Sequence, residues 1–185
     1  GVGVVAEVPP QRQLRGVPGG VALRQRRGYF SGGGRVGGEG QQGRGGAAVG
    51  VGDGGGELSR RLFNSLKPII VAFNGPAVGV GLTFPLAADV RLAAKNIKMG
   101  FVFAGRGIIP EGCSSWFLPR IVGISKALEW CYTARVFRSE EALDAGLVRS
   151  LHEPEDLMPA ARELAREMTE TSSAISNTVL RHMMW

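Results

Sequence analysis

Five consecutive apolar residues, Ile69–Phe73, are bracketed by Pro68 on one side and Asn74-Gly75-Pro76 on the other. A run this short with no polar alternation predicts a strand buried on both faces, and such a strand needs a covering layer above and below. Upstream, Leu58, Leu62, Phe63 and Leu66 recur at helical spacing, so Glu57–Ser65 is predicted to be the end of an amphipathic helix that Pro68 stops. Downstream, the Asn-Gly-Pro triplet is a turn. Helix, buried strand and turn in this order point to an α/β chain.

The following residues keep that alternation. Gly79–Ala88 is apolar apart from Thr83 and reads as a buried helix with Pro85 in its first turns. Asp89–Ala93 reads as a second strand, Lys95–Lys98 as a polar turn, and Met99–Ile109 as a loop-rich apolar stretch. Ser114–Ile121 and Ser125–Thr133 are predicted helices, each opening on a serine and separated by Gly123. Arg135–Phe137 is a short extended piece. Ser139 is placed to cap a helix whose first turn holds Glu140 and Glu141 and which Gly146 closes. Leu147–Leu151 reads as a strand and Pro154–Glu170 as an amphipathic helix. A last helix is expected over Ser176–Met184.

Residues 1–56 have a different texture. They contain 20 of the 29 glycines, with seven arginines against three acids and no lysine. Glycines this dense exclude a long helix or strand, so the expectation is a segment of uncertain order, with a core over 57–185. The apolar patch Gly1–Val8 could pair as a strand, but nothing marks its partner. The basic charge is concentrated here. A nucleic-acid tail is not expected, because the arginines are scattered and only Tyr29 and Phe30 could stack on bases. Cys113 and Cys131 are too few for a disulfide framework and are expected to be reduced, buried thiols. No apolar run reaches membrane-spanning length, so no membrane partner is expected and a cytoplasmic location follows.

Chemistry is concentrated in two places. Asn74-Gly75-Pro76-Ala77-Val78-Gly79-Val80-Gly81 is a glycine-punctuated turn able to present bare backbone N–H groups to a developing negative charge. About thirty residues later a lone acid, Glu111, lies in Ile108–Arg120 with Ile109, Trp116 and Phe117 as neighbours in sequence. An unpaired, partly buried carboxylate beside amide donors is suited to taking a proton next to a carbonyl. Arg106 is the nearby cation that could spoil this by pairing. The other reading of Pro110-Glu111 is the start of a helix. With His152 and His182 the only histidines, a Ser–His nucleophile built on Ser114 or Ser115 is disfavoured. No clustered spacing suggests a metal site.

Three segments in order, Lys67–Gly81, Ala87–Phe101 and Ser139–Leu151, resemble the crotonase (enoyl-CoA hydratase/isomerase) superfamily, and the likeness extends over Leu62–Met184. The resemblance implies a spiral of ββα units assembled as a homotrimer or hexamer. It also implies an acyl-CoA thioester substrate, with no separate cofactor because coenzyme A is part of that substrate. It further implies an oxyanion hole of two backbone N–H groups. One falls on Val80; the other falls on Gly32, within Phe30-Ser31-Gly32-Gly33-Gly34-Arg35, where Arg35 stands in place of the family's usual aspartate. Gly79, Gly81, Thr83 and Phe103 would then line the substrate. The family's N-terminal strands are not recognisable in residues 1–28, so that part of the fold is expected to be incomplete.

The two acids of typical hydratases correspond to Thr83 and Phe103, neither of which can transfer a proton as a carboxylate does. Pro110-Glu111-Gly112-Cys113-Ser114-Ser115 instead resembles the Δ3,Δ2-enoyl-CoA isomerases, which implies that Glu111 is the single base that shifts a 3-enoyl thioester to the 2-enoyl form. The alternative is a catalytically impaired acyl-CoA-binding or scaffold member of the same fold.

Overall fold

The computed structural model describes residues 5–6, 21–24 and 54–185. The central strand is β3, Ile69–Phe73, as the apolar run requires. It pairs in parallel with β2 (Val21–Arg24) on one side and β5 (Val90–Ala94) on the other. A short antiparallel strand, β1 (Val5–Ala6), continues the sheet beyond β2, and β8 (Ser150–His152) closes the other edge in parallel with β5. Within the Gly1–Val8 patch, Val5 and Ala6 thus find their partners in Arg24 and Leu23. A second sheet joins β4 (Ala77–Val78), β6 (Lys98–Gly100) and β7 (Val136–Arg138).

Side chains of β3 divide by parity. Ile69, Val71 and Phe73 enter one core with Leu82, Leu86, Phe101, Phe117 and Trp130. Ile70 and Ala72 face the other way with Leu92 and Ala94, beneath α6 (Leu157–Glu170). Leu157, Ala161, Leu164 and Ala165 form the buried stripe of α6, as its spacing predicts. No β3 residue is more than 3% exposed. Each large side chain buried to this degree contributes about 1.5–3 kcal/mol.

The remaining helices differ in detail from the sequence expectation. Helix α1 covers Gly54–Phe63. The stretch Gly79–Ala88 is not one helix: α2 is only Val80–Thr83, and Phe84–Ala87 continues as a 3-10 turn with Pro85 near its start. Pro85 has no N–H to extend an α-helical ladder, which favours the change of winding. Helices α3 (Ser114–Val122) and α4 (Ile124–Thr133) form, but serine caps neither: the cap positions are Cys113 in the left-handed region and Gly123. The Ser114 hydroxyl is buried with no hydrogen-bond partner among the described residues. Helix α5 (Ser139–Asp144) also lacks a side-chain cap, because Ser139 Oγ accepts from Ile97 N at 3.2 Å instead. Leu147–Arg149 is not strand. Helix α7 (Ala174–Met184) begins earlier than expected and is capped by Ser173. Both cysteines are free and half-buried rather than fully buried. Among the described residues no helix is long and apolar enough to cross a membrane.

Two buried arginines tie the layers together. Arg91 donates to Leu147 O at 2.8 Å and Ala88 O at 2.6 Å, and burial lowers its pKa to about 10, which leaves it charged at neutral pH. Arg181 of α7 pairs with Asp89 at 2.9 Å and donates to the carbonyls of Leu62 and Phe63 at the end of α1 and of Ser65 just beyond it. Asp89 also accepts from Ile69 N at 2.6 Å. The guanidinium thus satisfies carbonyls that have no intrahelical donor while it neutralises the acid at the mouth of β3. Replacing Arg181 by Met should lower the unfolding free energy by about 3 kcal/mol, read from the urea midpoint at unchanged slope. A midpoint within error of wild type would remove this clasp from the stability of the fold.

Candidate active site

The glycine-punctuated turn leads out of β3 into β4 and then α2. Gly79 is the cap residue of α2, with φ 64° and ψ −130°, a conformation open to glycine and costly for residues with a Cβ. Its N–H donates to Gly100 O at 2.9 Å, which pins the turn to β6. The Leu82 and Thr83 amides bond back to Gly79 O at 2.8 and 3.2 Å. Val80 and Gly81 precede them in the first turn, so their N–H groups have no intrahelical acceptor. Val80 is 38% exposed, whereas Gly81 and Thr83 are buried. Phe103, itself buried, sits across this turn: its Cζ lies 3.9 Å from where a Cβ on Gly79 would be.

Glu111 is in the loop between the 3-10 turn Ala104–Arg106 and α3. It is half-buried, and Thr83 Oγ1 donates to its Oε1 at 2.8 Å. The same hydroxyl is 3.3 Å from Val80 O. One hydroxyl proton serves one strong bond, and the shorter contact, to a carboxylate oxygen, takes it. Residues 28 apart in sequence are thereby joined, and the carboxylate is held against the short helix that carries the Val80 amide. No ion pair between Arg106 and Glu111 exists among the described residues, so the cation that could have neutralised the base does not do so.

Glu111 is followed by two left-handed residues, Gly112 at φ 68° and Cys113 at φ 59°. A Cβ on Gly112 would lie 3.3 Å from Ser59 Oγ and 3.4 Å from Thr83 Oγ1. Glycine therefore lets the loop approach Thr83 closely enough for the Glu111 bond. The expected apolar surroundings of Glu111 need correction. Ile109 is 85% exposed, and Trp116 and Phe117 turn into an aromatic cluster with Phe63 and Trp185. The contact that the acid does make is with Thr83 of α2, and the next residue, Gly112, lies close to Ser59 of α1. The helix-start reading of Pro110-Glu111 also fails, since α3 begins at Ser114.

Of the residues singled out in the sequence, Val80, Gly79, Gly81, Thr83, Phe103 and Glu111 come together around one turn. Gly32 lies outside the described residues, as do its neighbours through Arg35. Sequence reasoning assigned Thr83 to the substrate and missed its bond to Glu111; a polar residue in an otherwise apolar helix was the available signal. It also missed Gly112. Beside this loop, a cleft of about 290 Å³ is lined by Ser59, Arg60, Phe63, Cys113, Trp116 and Phe117. A larger cavity of about 520 Å³ lies around Asp89 and Arg181 and is lined by none of the site residues. His152 does bond a serine, but Ser150 on its own strand, at 2.8 Å, rather than Ser114 or Ser115. No group of three metal-ligating side chains occurs among the described residues.

Comparison with known proteins places the chain in a family. A family model described as enoyl-CoA hydratase/isomerase matches residues 17–185. The chain is 36% identical over 134 residues to enoyl-CoA hydratase AFT3-1 of Alternaria alternata, covering 72% of this chain and 45% of that protein. It is 38% identical over 114 residues to crotonyl-CoA hydratase of Syntrophomonas wolfei, covering 60% and 44%. The crystal structure of enoyl-CoA hydratase EchA12_1 from Mycobacterium marinum superposes with a TM-score of 0.63 at 41% identity, covering 68% of this chain and 64% of that one. The chain thus spans less than half the length of these curated relatives.

Gly112→Ala tests the close approach of the loop. A methyl group at φ 68° facing two hydroxyls should lower stability by about 1–2 kcal/mol, measured by thermal unfolding. An unchanged midpoint would mean that the loop does not depend on this contact.

Proposed function

The chain belongs to the enoyl-CoA hydratase/isomerase family, and from that premise we propose that it moves the double bond of a 3-enoyl-CoA to the 2-position through a thioester enolate. The observation that carries this reading is the 2.8 Å bond from Thr83 to Glu111, which holds one carboxylate beside the first turn of α2. Glu111 takes a proton from C2, and the electron pair spreads onto the thioester oxygen. The Val80 N–H, at the positive end of α2 and without an intrahelical acceptor, stabilises that oxygen, and Gly32 N–H is the proposed second donor. The proton then returns at C4. One base serves both halves, so no cofactor beyond the coenzyme A of the substrate is needed.

Relatives bear hydratase names, yet Thr83 and Phe103 supply no second carboxylate to activate water, which favours isomerisation over hydration here. The apolar cleft beside Gly112 and Cys113 is suited to an acyl chain. Assembly as a homotrimer or hexamer belongs to the same proposal. The exposed stripe Ile124, Leu128 and Tyr132 along α4 supports it, and sedimentation would weigh it. The second reading is an acyl-CoA-binding scaffold. The bonded contact between Thr83 and Glu111 argues against it, because a relic site has no need to keep its acid placed.

Glu111→Gln should reduce 3-enoyl-CoA isomerisation about a thousandfold while leaving acyl-CoA binding in place. Binding by the wild-type chain with no turnover would favour the scaffold. Val80→Pro tests the amide: proline fits the first helical position but lacks the N–H, and turnover should fall about a hundredfold or more. Wild-type rates in that variant would remove the Val80 amide from the mechanism.

A further inference from the structure

We propose that Thr83 is a positioning residue that divides the labour between the two oxygens of Glu111, fixing Oε1 so that Oε2 alone carries the proton. The inference rests on the isomerase reading above and adds to it which oxygen acts and what holds it. Thr83 is fully buried, so its hydroxyl cannot turn to water and must bond within the protein. Its two acceptors are Glu111 Oε1 at 2.8 Å and Val80 O at 3.3 Å, and both belong to the machinery of the site. Oε1 is thereby occupied as an acceptor. Oε2 has no partner among the described residues.

Thr83 is itself held on two sides. It lies in α2, whose Thr83 amide bonds Gly79 O at 3.2 Å, and a Cβ added at Gly112 would meet its hydroxyl at 3.4 Å, so the loop leaves no room beside it. Threonine in a helix has two main χ1 rotamers, and the contacts of Oγ1 with Val80 O and Glu111 Oε1 go with one of them, so the hydroxyl direction is fixed before substrate arrives. The step is then balanced on one atom. The C2–H bond breaks, the proton goes to Oε2, and its electron pair forms the dienolate. The Oε2–H bond breaks next, the proton is delivered to C4, and the carbonyl is restored with the double bond between C2 and C3. A carboxylate free to rotate would lose alignment for one of the two transfers, whereas one tethered at Oε1 keeps Oε2 over the C2–C4 edge.

The test uses the 185-residue chain with a 3-enoyl-CoA, measuring kcat and KM separately beside the thermal midpoint. Thr83→Val keeps the shape and removes the hydroxyl; kcat should fall about thirtyfold with KM within about twofold. Thr83→Ser restores the donor and should return kcat to within about threefold of wild type. A midpoint change shared by both variants without the kcat split would mark Thr83 as structural only. If Thr83→Val does not fold, Thr83→Cys, a poorer donor of similar size, should still lower kcat about fivefold or more. Thr83→Val turning over within twofold of wild type, or Thr83→Ser as slow as Thr83→Val, overturns the inference. If Glu111→Gln is inactive while Thr83→Val is fully active, only the role of Thr83 falls. A fully active Glu111→Gln, or a wild-type chain without turnover, overturns the isomerase reading and this inference with it.

Discussion

Burial of β3 on both faces is the constraint from which the site is built. Its five side chains alternate between two cores, so the strand cannot shift by one residue without exchanging every contact on both sides. That fixed register sets where the chain leaves the sheet. The turn after Phe73 runs into β4, which pairs with β6, and the Gly79 amide is tied to Gly100. A short helix begins at a defined point as a result, and its first amides have no intrahelical acceptor. The clasp of Arg181 on Asp89 and on the end of α1 secures the entrance to the same strand.

Against this rigid turn the base arrives on a loop, the kind of element that ordinarily positions a side chain loosely. Two features compensate. Left-handed residues at 112 and 113 turn the chain sharply into α3, and the absence of a side chain at Gly112 lets it approach α2. The buried hydroxyl of Thr83 then converts proximity into a directed bond. A threonine in the middle of an apolar helix turn, which costs burial of a polar group, is balanced by the acceptor that Glu111 provides. Donor and base are thus referenced to one short helix.

Much of this was legible in the sequence because it rests on local patterns. The apolar run of β3, the stripe of α6, and the glycine spacing of Gly79-Val80-Gly81 all follow from periodicity or from backbone conformations few residues adopt. Cap residues were less legible. Ser114 and Ser139 do open α3 and α5, but neither caps its helix: Ser139 Oγ serves Ile97 N, and the cap positions of α3 and α4 are a left-handed cysteine and a glycine. The apolar shielding of Glu111 was misjudged for a related reason. Adjacency in sequence does not set direction, and Ile109 points to solvent while Trp116 and Phe117 face other aromatics.

By itself the sequence determined the α/β alternation, the strand that must be buried, the family likeness, and the identities of one lone acid and one glycine-lined turn. These depend on spacing and on residue chemistry, which a linear chain displays. Only the tertiary structure decided that Thr83 meets Glu111, that Gly112 makes room for the contact, and that Arg106 leaves the acid unpaired. The first two are relations between segments tens of residues apart, the third depends on where the Glu111 loop turns, and packing geometry of this kind is not written in any local pattern.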